Sequence, residues 1–168
     1  IFSTTAPRRP RIWAKENNVR HAIMIGIAST ICSVSGTASA GDTAFDEVVI
    51  RYEVMRQALI EDSTDGVAER AAEIAAIARD LRADLSPTRA GIDAADARTL
   101  EGLLPQIEDR ADSVAAAGSL EETRERLAEL TKPLVRWHEL VEGPRPVVAY
   151  CPMVKKAWIQ PDEAIGNP

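Results

Sequence analysis

The sequence predicts an all-α fold: an antiparallel four-helix bundle of the up-down kind, closed by an irregular C-terminal hook. Apolar residues recur every three or four positions from Thr43 to Val141, strand-like alternation is absent over that span, and turn-forming residues cut the pattern into four pieces joined by short connections. Four amphipathic helices so connected bury their stripes most economically against successive neighbours. Steps of four and three in alternation favour the shallow crossing angle of coiled-coil-like packing.

The first stripe is Phe45, Val48, Val49, Tyr52, Met55 and Leu59, with Asp42 or Thr43 placed to accept the free amide hydrogens at its start. A loop at residues 61–66 comes next. The second stripe, Val67, Ala71, Ile74, Ala78, Leu81 and Leu85, is rich in alanine and so allows close approach. Ser86-Pro87 is expected to end it, since a residue before proline avoids the helical region. Ala97, Leu100, Leu104, Ile107, Ala111 and Val114 form the third stripe. Pro105 inside it is expected to kink the helix or move its start, at about 3 kcal/mol in a regular interior. Gly118 closes that helix, and Ser119-Leu120-Glu121-Glu122 has the spacing of a capping box. The fourth stripe runs from Leu120 through Leu127, Leu134 and Trp137 to Val141, with Pro133 inside it, until Gly143-Pro144-Arg145-Pro146 stops it.

Ahead of the helices, Lys15, Arg20 and His21 precede an apolar run from Ala22 to Val34, then Thr37-Ala38-Ser39-Ala40. A basic region, a short apolar region and an Ala-x-Ala ending are the pattern of a secretory signal, cleaved after Ala40. Residues 1–40 are therefore read as leader and cleavable signal, with 1–14 as an upstream extension. Residues 41–168 are read as a single exported, periplasmic domain whose hook is 143–168. The apolar run spans 13 residues, short of the roughly 20 that cross a bilayer as a helix. No stable membrane span is expected after cleavage; an uncleaved anchor is the alternative. Of the 20 Lys and Arg and 26 Asp and Glu, the leader holds 5 and 1, which leaves 15 bases against 25 acids and a net charge of −10 in residues 41–168. A field of that sign repels nucleic acid, and none is expected as a partner. With Cys32 removed, Cys151 stands alone, and an unpaired exported thiol calls for a metal, an intermolecular partner or burial.

The tail reads Tyr150-Cys151-Pro152-Met153, then Lys156-Ala157-Trp158-Ile159-Gln160 and Ile165-Gly166-Asn167-Pro168. It resembles the end of a family of uncharacterised exported helical domains, often fused to copper/silver efflux periplasmic adaptors. Over roughly Thr43 to Pro168 the order and length of the helices are similar to that family's body. The resemblance implies a bundle with a C-terminal hook, export, and an association with heavy-metal efflux or copper handling, with an efflux adaptor or transporter component as partner. Its matching sulfur residues are Cys151 and Met153; the family's further methionine and cysteine come after the Asn-Pro pair.

Thiolate and thioether are soft ligands that select Cu(I) or another soft metal ion over harder ones. In extended backbone Cys151 and Met153 share a face, with Pro152 stiffening the link. The competing reading makes Cys151 a small buried hydrophobe and Met153 a gap filler. His138, the one histidine after the leader, is a third ligand candidate or a cap on the fourth helix. Trp158, with Tyr150, Pro152 and Asn167, is read as the anchor of the hook. There is no HExxH, no glycine-rich phosphate loop and no nucleophile elbow, so the expected function is non-catalytic. It is metal binding or delivery at the hook, or, from a different class, a structural or protein-interaction bundle without a metal.

Overall fold

A computed structural model describes residues 43–168; the leader, the signal, Gly41 and Asp42 lie outside the described residues. Among the described residues the chain is mostly helical with one small two-stranded sheet. Its elements are α1 (Ala44–Ile60), α2 (Val67–Ala83), α3 (Pro87–Ala90), a 3-10 turn at Ala94–Asp96, α4 (Ala97–Ala115), α5 (Leu120–Leu140), β1 (Val147–Cys151) and β2 (Lys156–Gln160).

Thr43 starts α1 with a full capping box. Its hydroxyl accepts the Asp46 amide at 3.2 Å, and the Asp46 carboxylate accepts the Thr43 amide at 3.3 Å, so two otherwise unpaired donors are satisfied together. Gly66 ends the loop after α1 at φ +71°, a region that costs glycine little. The alanine-rich α2 lies against both α1 and α4, as its small side chains allow, and α4 packs on α5.

Ser86-Pro87 does not act as a stop. Helix α2 already ends at Ala83, and Ser86 caps a new short helix with Pro87 in its first turn, where a missing amide hydrogen costs nothing. That turn serves the core: the Ala90 carbonyl accepts the indole hydrogen of buried Trp137 at 3.3 Å, and Ile92 bridges to Val141. Gly91, at φ +75°, passes so close to Thr43 that an added Cβ would lie 3.1 Å from its methyl group.

Neither interior proline ends its helix: α4 and α5 run continuously through Pro105 and Pro133. Pro105 cannot donate to the Glu101 carbonyl one turn before it, and Glu101 is an exposed residue. At the start of α5 the Ser119 hydroxyl accepts the Glu122 amide as expected, but the Glu122 carboxylate takes the Gly118 amide at 2.7 Å, one residue further out than in a standard box.

The hook is irregular at both ends, residues 143–146 and 161–168, but not in its middle. That middle is a β-hairpin in antiparallel register, Val147 opposite Gln160 and Cys151 opposite Lys156. Its first strand, Val-Val-Ala-Tyr-Cys, has the β-branched and aromatic content that suits a pleated surface. A lone hairpin is marginal in water; here β2 packs against α5 and α1, burying Trp158, Ile159 and Gln160 in succession. Along the seam between α1 and α5, the Tyr52 hydroxyl meets Thr131 Oγ1 at 2.7 Å, and Thr131 in turn donates to the Leu127 carbonyl at 2.8 Å. The core beneath includes Phe45 edge-on to Trp137 at 5.3 Å between ring centroids.

Complete burial pushes the Tyr52 phenol up to about 12, with its hydrogen bond to Thr131, then a backbone hydrogen bond at Ile159 and the Arg56 charge, offsetting only part of the effect. The unfolded phenol ionises near 10, so between those values the unfolded state holds fewer protons and stability falls as pH rises. The expected loss is about 3 kcal/mol across that window. Urea unfolding at stepped alkaline pH measures it; Tyr52→Phe should flatten that part of the profile, and an identical decline in the variant would contradict the assignment.

Candidate functional site

The hairpin gathers most of the residues the sequence singles out, but divides them between a buried base and an exposed tip. At the base, Trp158 is 3% exposed and its indole hydrogen goes to Gln160 Oε1 at 2.7 Å. Gln160, itself buried, donates to the Asp162 carbonyl at 2.6 Å. Of the four residues read as anchors, Trp158 is buried, whereas Tyr150, Pro152 and Asn167 are exposed, Tyr150 by 59%. Tyr150 falls on the outward positions of β1, whose burial alternates.

The last residues are tied down by a group that a helical reading passes over. Arg56 is only 4% exposed; its Nε and Nη2 donate to the two carboxylate oxygens of Glu53 at 2.7 and 2.8 Å, and its Nη1 donates to the Gly166 carbonyl at 2.6 Å. Burial alone would raise the Glu53 carboxyl, but the hydrogen bonds from Arg56 and Gln57 and the guanidinium charge outweigh it and hold the group below the usual carboxylate range. The same hydrogen bond raises Arg56. An added Cβ on Gly166 would lie 2.8 Å from Arg56 Nη1 and 2.9 Å from Ile60 Cδ1, so the tail passes where only glycine fits without a shift.

At the other end, β1 stops at Cys151 and residues 152–155 form the turn, with Lys155 at φ +54°. The backbone therefore leaves the extended form between Cys151 and Met153, and the shared-face argument does not apply. Cys151 is half-buried against the core, with a free thiol. Met153 is 88% exposed, so it fills no gap. His138 is half-buried beside Phe45, its ring centroid 6.1 Å away. Its Nε2 lies 2.8 Å from the Pro146 carbonyl. A carbonyl only accepts, so Nε2 is the nitrogen that donates to it. His138 thereby pins the segment leading into β1 to the end of α5. Among the described residues no three His, Cys, Asp or Glu side chains stand together as a metal-holding group.

A groove of about 690 Å³ runs between α5 and the hairpin, lined from α5 by residues between Glu125 and Arg136 and from the hairpin by Tyr150 and residues 154–157. Below it, a smaller cavity of about 200 Å³ is bounded by Tyr52, Thr131, Trp158 and Pro168, among others. No helix of the described residues is long and apolar enough to cross a membrane.

No family model, curated protein or solved structure matches the chain.

The two aromatic residues of the hairpin should separate cleanly. Trp158→Ala is expected to lower stability by about 3 to 5 kcal/mol, as for other buried large aromatics, and Tyr150→Ala by no more than about 0.5 kcal/mol. Paired denaturant melts read both, and a similar small cost for the two would deny the hairpin its role in the core.

Proposed function

We propose that the chain is an exported, non-catalytic helical domain of heavy-metal handling, which receives and passes on a soft cation, Cu(I) above all, at the tip of its hairpin. The four long helices are read as an up-down bundle that serves as scaffold, the compartment as the periplasm, and the partner as a component of a metal-efflux system. The observation that carries the reading is the free Cys151 thiol at the end of β1, with the exposed Met153 thioether two residues on.

Two soft donors on a short turn can begin a Cu(I) site without completing it. Closed sites with every ligand supplied by one chain suit retention. A partial set that presents one donor to solvent suits exchange, because an incoming ligand can bind before the outgoing one leaves. Binding would deprotonate Cys151 and release one proton. His138 is a more distant donor through Nδ1, since Nε2 is engaged by Pro146.

A second reading has its own observation in favour. The buried lock of Trp158, Gln160 and Arg56 accounts for the tail without a ligand, and leaves a structural or protein-interaction module. Titration with Cu(I) under anaerobic, reducing conditions tests the choice. On the metal reading one equivalent binds, and at a hundredfold excess over Kd the fold gains about 2.7 kcal/mol; Cys151→Ser removes that gain and Met153→Leu reduces it. Binding by Cys151→Ser equal to the parent's, or a melting temperature indifferent to Cu(I), would leave only the interaction module.

A further inference from the structure

The groove between α5 and the hairpin differs in charge from the rest of the chain. Five cations line it, Arg126, Lys132, Arg136, Lys155 and Lys156, against two acids, Glu125 and Glu129. Three of the five are engaged by acids on α5 itself: Arg126 by Glu122, Lys132 by Glu129 and Arg136 by Glu139. Lys155 and Lys156 make no ion pair among the described residues. The positive local field is also felt by Glu129, held below the usual carboxylate range first by its hydrogen bond from Lys132, then by the charges of Lys132, Arg110 and Lys156. All this lies on a chain whose residues 41–168 carry a net −10.

The same walls expose apolar surface. Tyr150 is 59% exposed and Val154 52%, facing half-buried Ala128, Val135 and Ala157. Open apolar surface rimmed by cations is the composition of a recognition groove. The α5 wall from Glu125 to Arg136 is roughly 16 Å long at the helical rise, the span of about five residues of extended chain.

We propose that this groove docks an acidic segment of a partner protein, about five residues long, with an aliphatic or aromatic side chain seated against Val135, Tyr150 and Val154 and carboxylates meeting Lys155 and Lys156. Nucleic acid does not suit the site, because a polyanion would run on past the cations into Glu121, Glu122, Glu139 and Glu142. This assignment does not depend on metal binding by Cys151.

The probe is a fluorescein-labelled hexapeptide, Glu-Leu-Asp-Phe-Glu-Leu, monitored by anisotropy with the whole chain. Two companions are used, Lys-Leu-Lys-Phe-Lys-Leu and Glu-Ala-Asp-Ala-Glu-Ala. The acidic apolar peptide should bind, with affinity falling as salt rises, and the two companions should not. The double variant Lys155→Glu/Lys156→Glu should weaken it about tenfold or more. Val154→Ser, at an exposed position that leaves the fold intact, should weaken it severalfold at an unchanged melting temperature. Arg98→Glu, exposed on the first turn of α4, should have no effect. The assignment is overturned by no binding, by equal binding of either companion, by an equal loss in Arg98→Glu, or by self-association of the chain that competes with the peptide.

Discussion

The seam between α1 and α5 is the constraint on which the rest of the structure depends. The other long-helix contacts, α1 with α2, α2 with α4 and α4 with α5, are made chiefly by apolar stripes, with ion pairs beside them, Arg51 with Glu73 and Arg79 and Arg82 with Glu108. The α1–α5 seam instead carries buried polar groups, Tyr52, Arg56 and Thr131, and a buried polar group without a partner costs about 1 to 3 kcal/mol. Each finds its partner inside the protein. Tyr52 and Thr131 bond to each other, Thr131 reaches back to Leu127, and Arg56 joins Glu53 to Gly166. The hairpin then covers the seam, adding Trp158 and Ile159 as hydrocarbon and Gln160 as a polar group that satisfies the indole. Hairpin and helices are therefore one cooperative unit, because neither the two-stranded sheet nor the polar seam is favourable alone.

The helical body was legible because it obeys a simple period. Every position of the four stripes that lies inside a helix and is large and apolar, from Phe45 to Trp137, falls within the core or packs against it. The features that escaped break that pattern. Thr131 and Arg56 lie at helical spacing from apolar stripe residues, Thr131 four after Leu127 and Arg56 four after Tyr52, but their polar side chains keep them out of an apolar pattern although both are buried. The hairpin escaped because its strands have five residues each and the second is buried on successive positions, which alternation cannot detect. Ser86-Pro87 is ambiguous for a different reason: serine before proline marks a helix start as well as a stop, and the residues after the proline, Thr88-Arg89-Ala90 with Gly91 as cap, decide for a start.

The candidate donors were legible as residue types and illegible as an arrangement. Nothing in Tyr-Cys-Pro-Met says where extended backbone ends. Pairing does, because Cys151 is the last residue of β1 with a partner, Lys156, and the next four residues turn. Two steps along the chain therefore separate a half-buried thiol from a freely exposed thioether. The contrast between anchor and tip has the same origin. Trp158 is buried and Tyr150 is exposed along the groove beside α5, so two large aromatics carry different roles: one packs into the core and the other lines a groove.

The tip and the groove share a wall, and this bears on how both proposals would operate together. Lys156 lines the groove and pairs directly with Cys151 across the hairpin, while Val154 and Lys155 lie in the same turn as Met153. An acidic segment seated on Lys155 and Lys156 would bring its own side chains to the edge of an unfinished sulfur set. A soft donor carried by that segment could then displace Met153 while Cys151 still held the ion, so that docking would add a ligand to the pair at the tip. Electrostatic attraction would set such an encounter and its salt dependence, whereas the sulfur chemistry would set what is exchanged. On the two proposals taken together, charge at Lys155 and Lys156 would bear on partner choice and the sulfur atoms of Cys151 and Met153 on ion choice, so the two could vary independently.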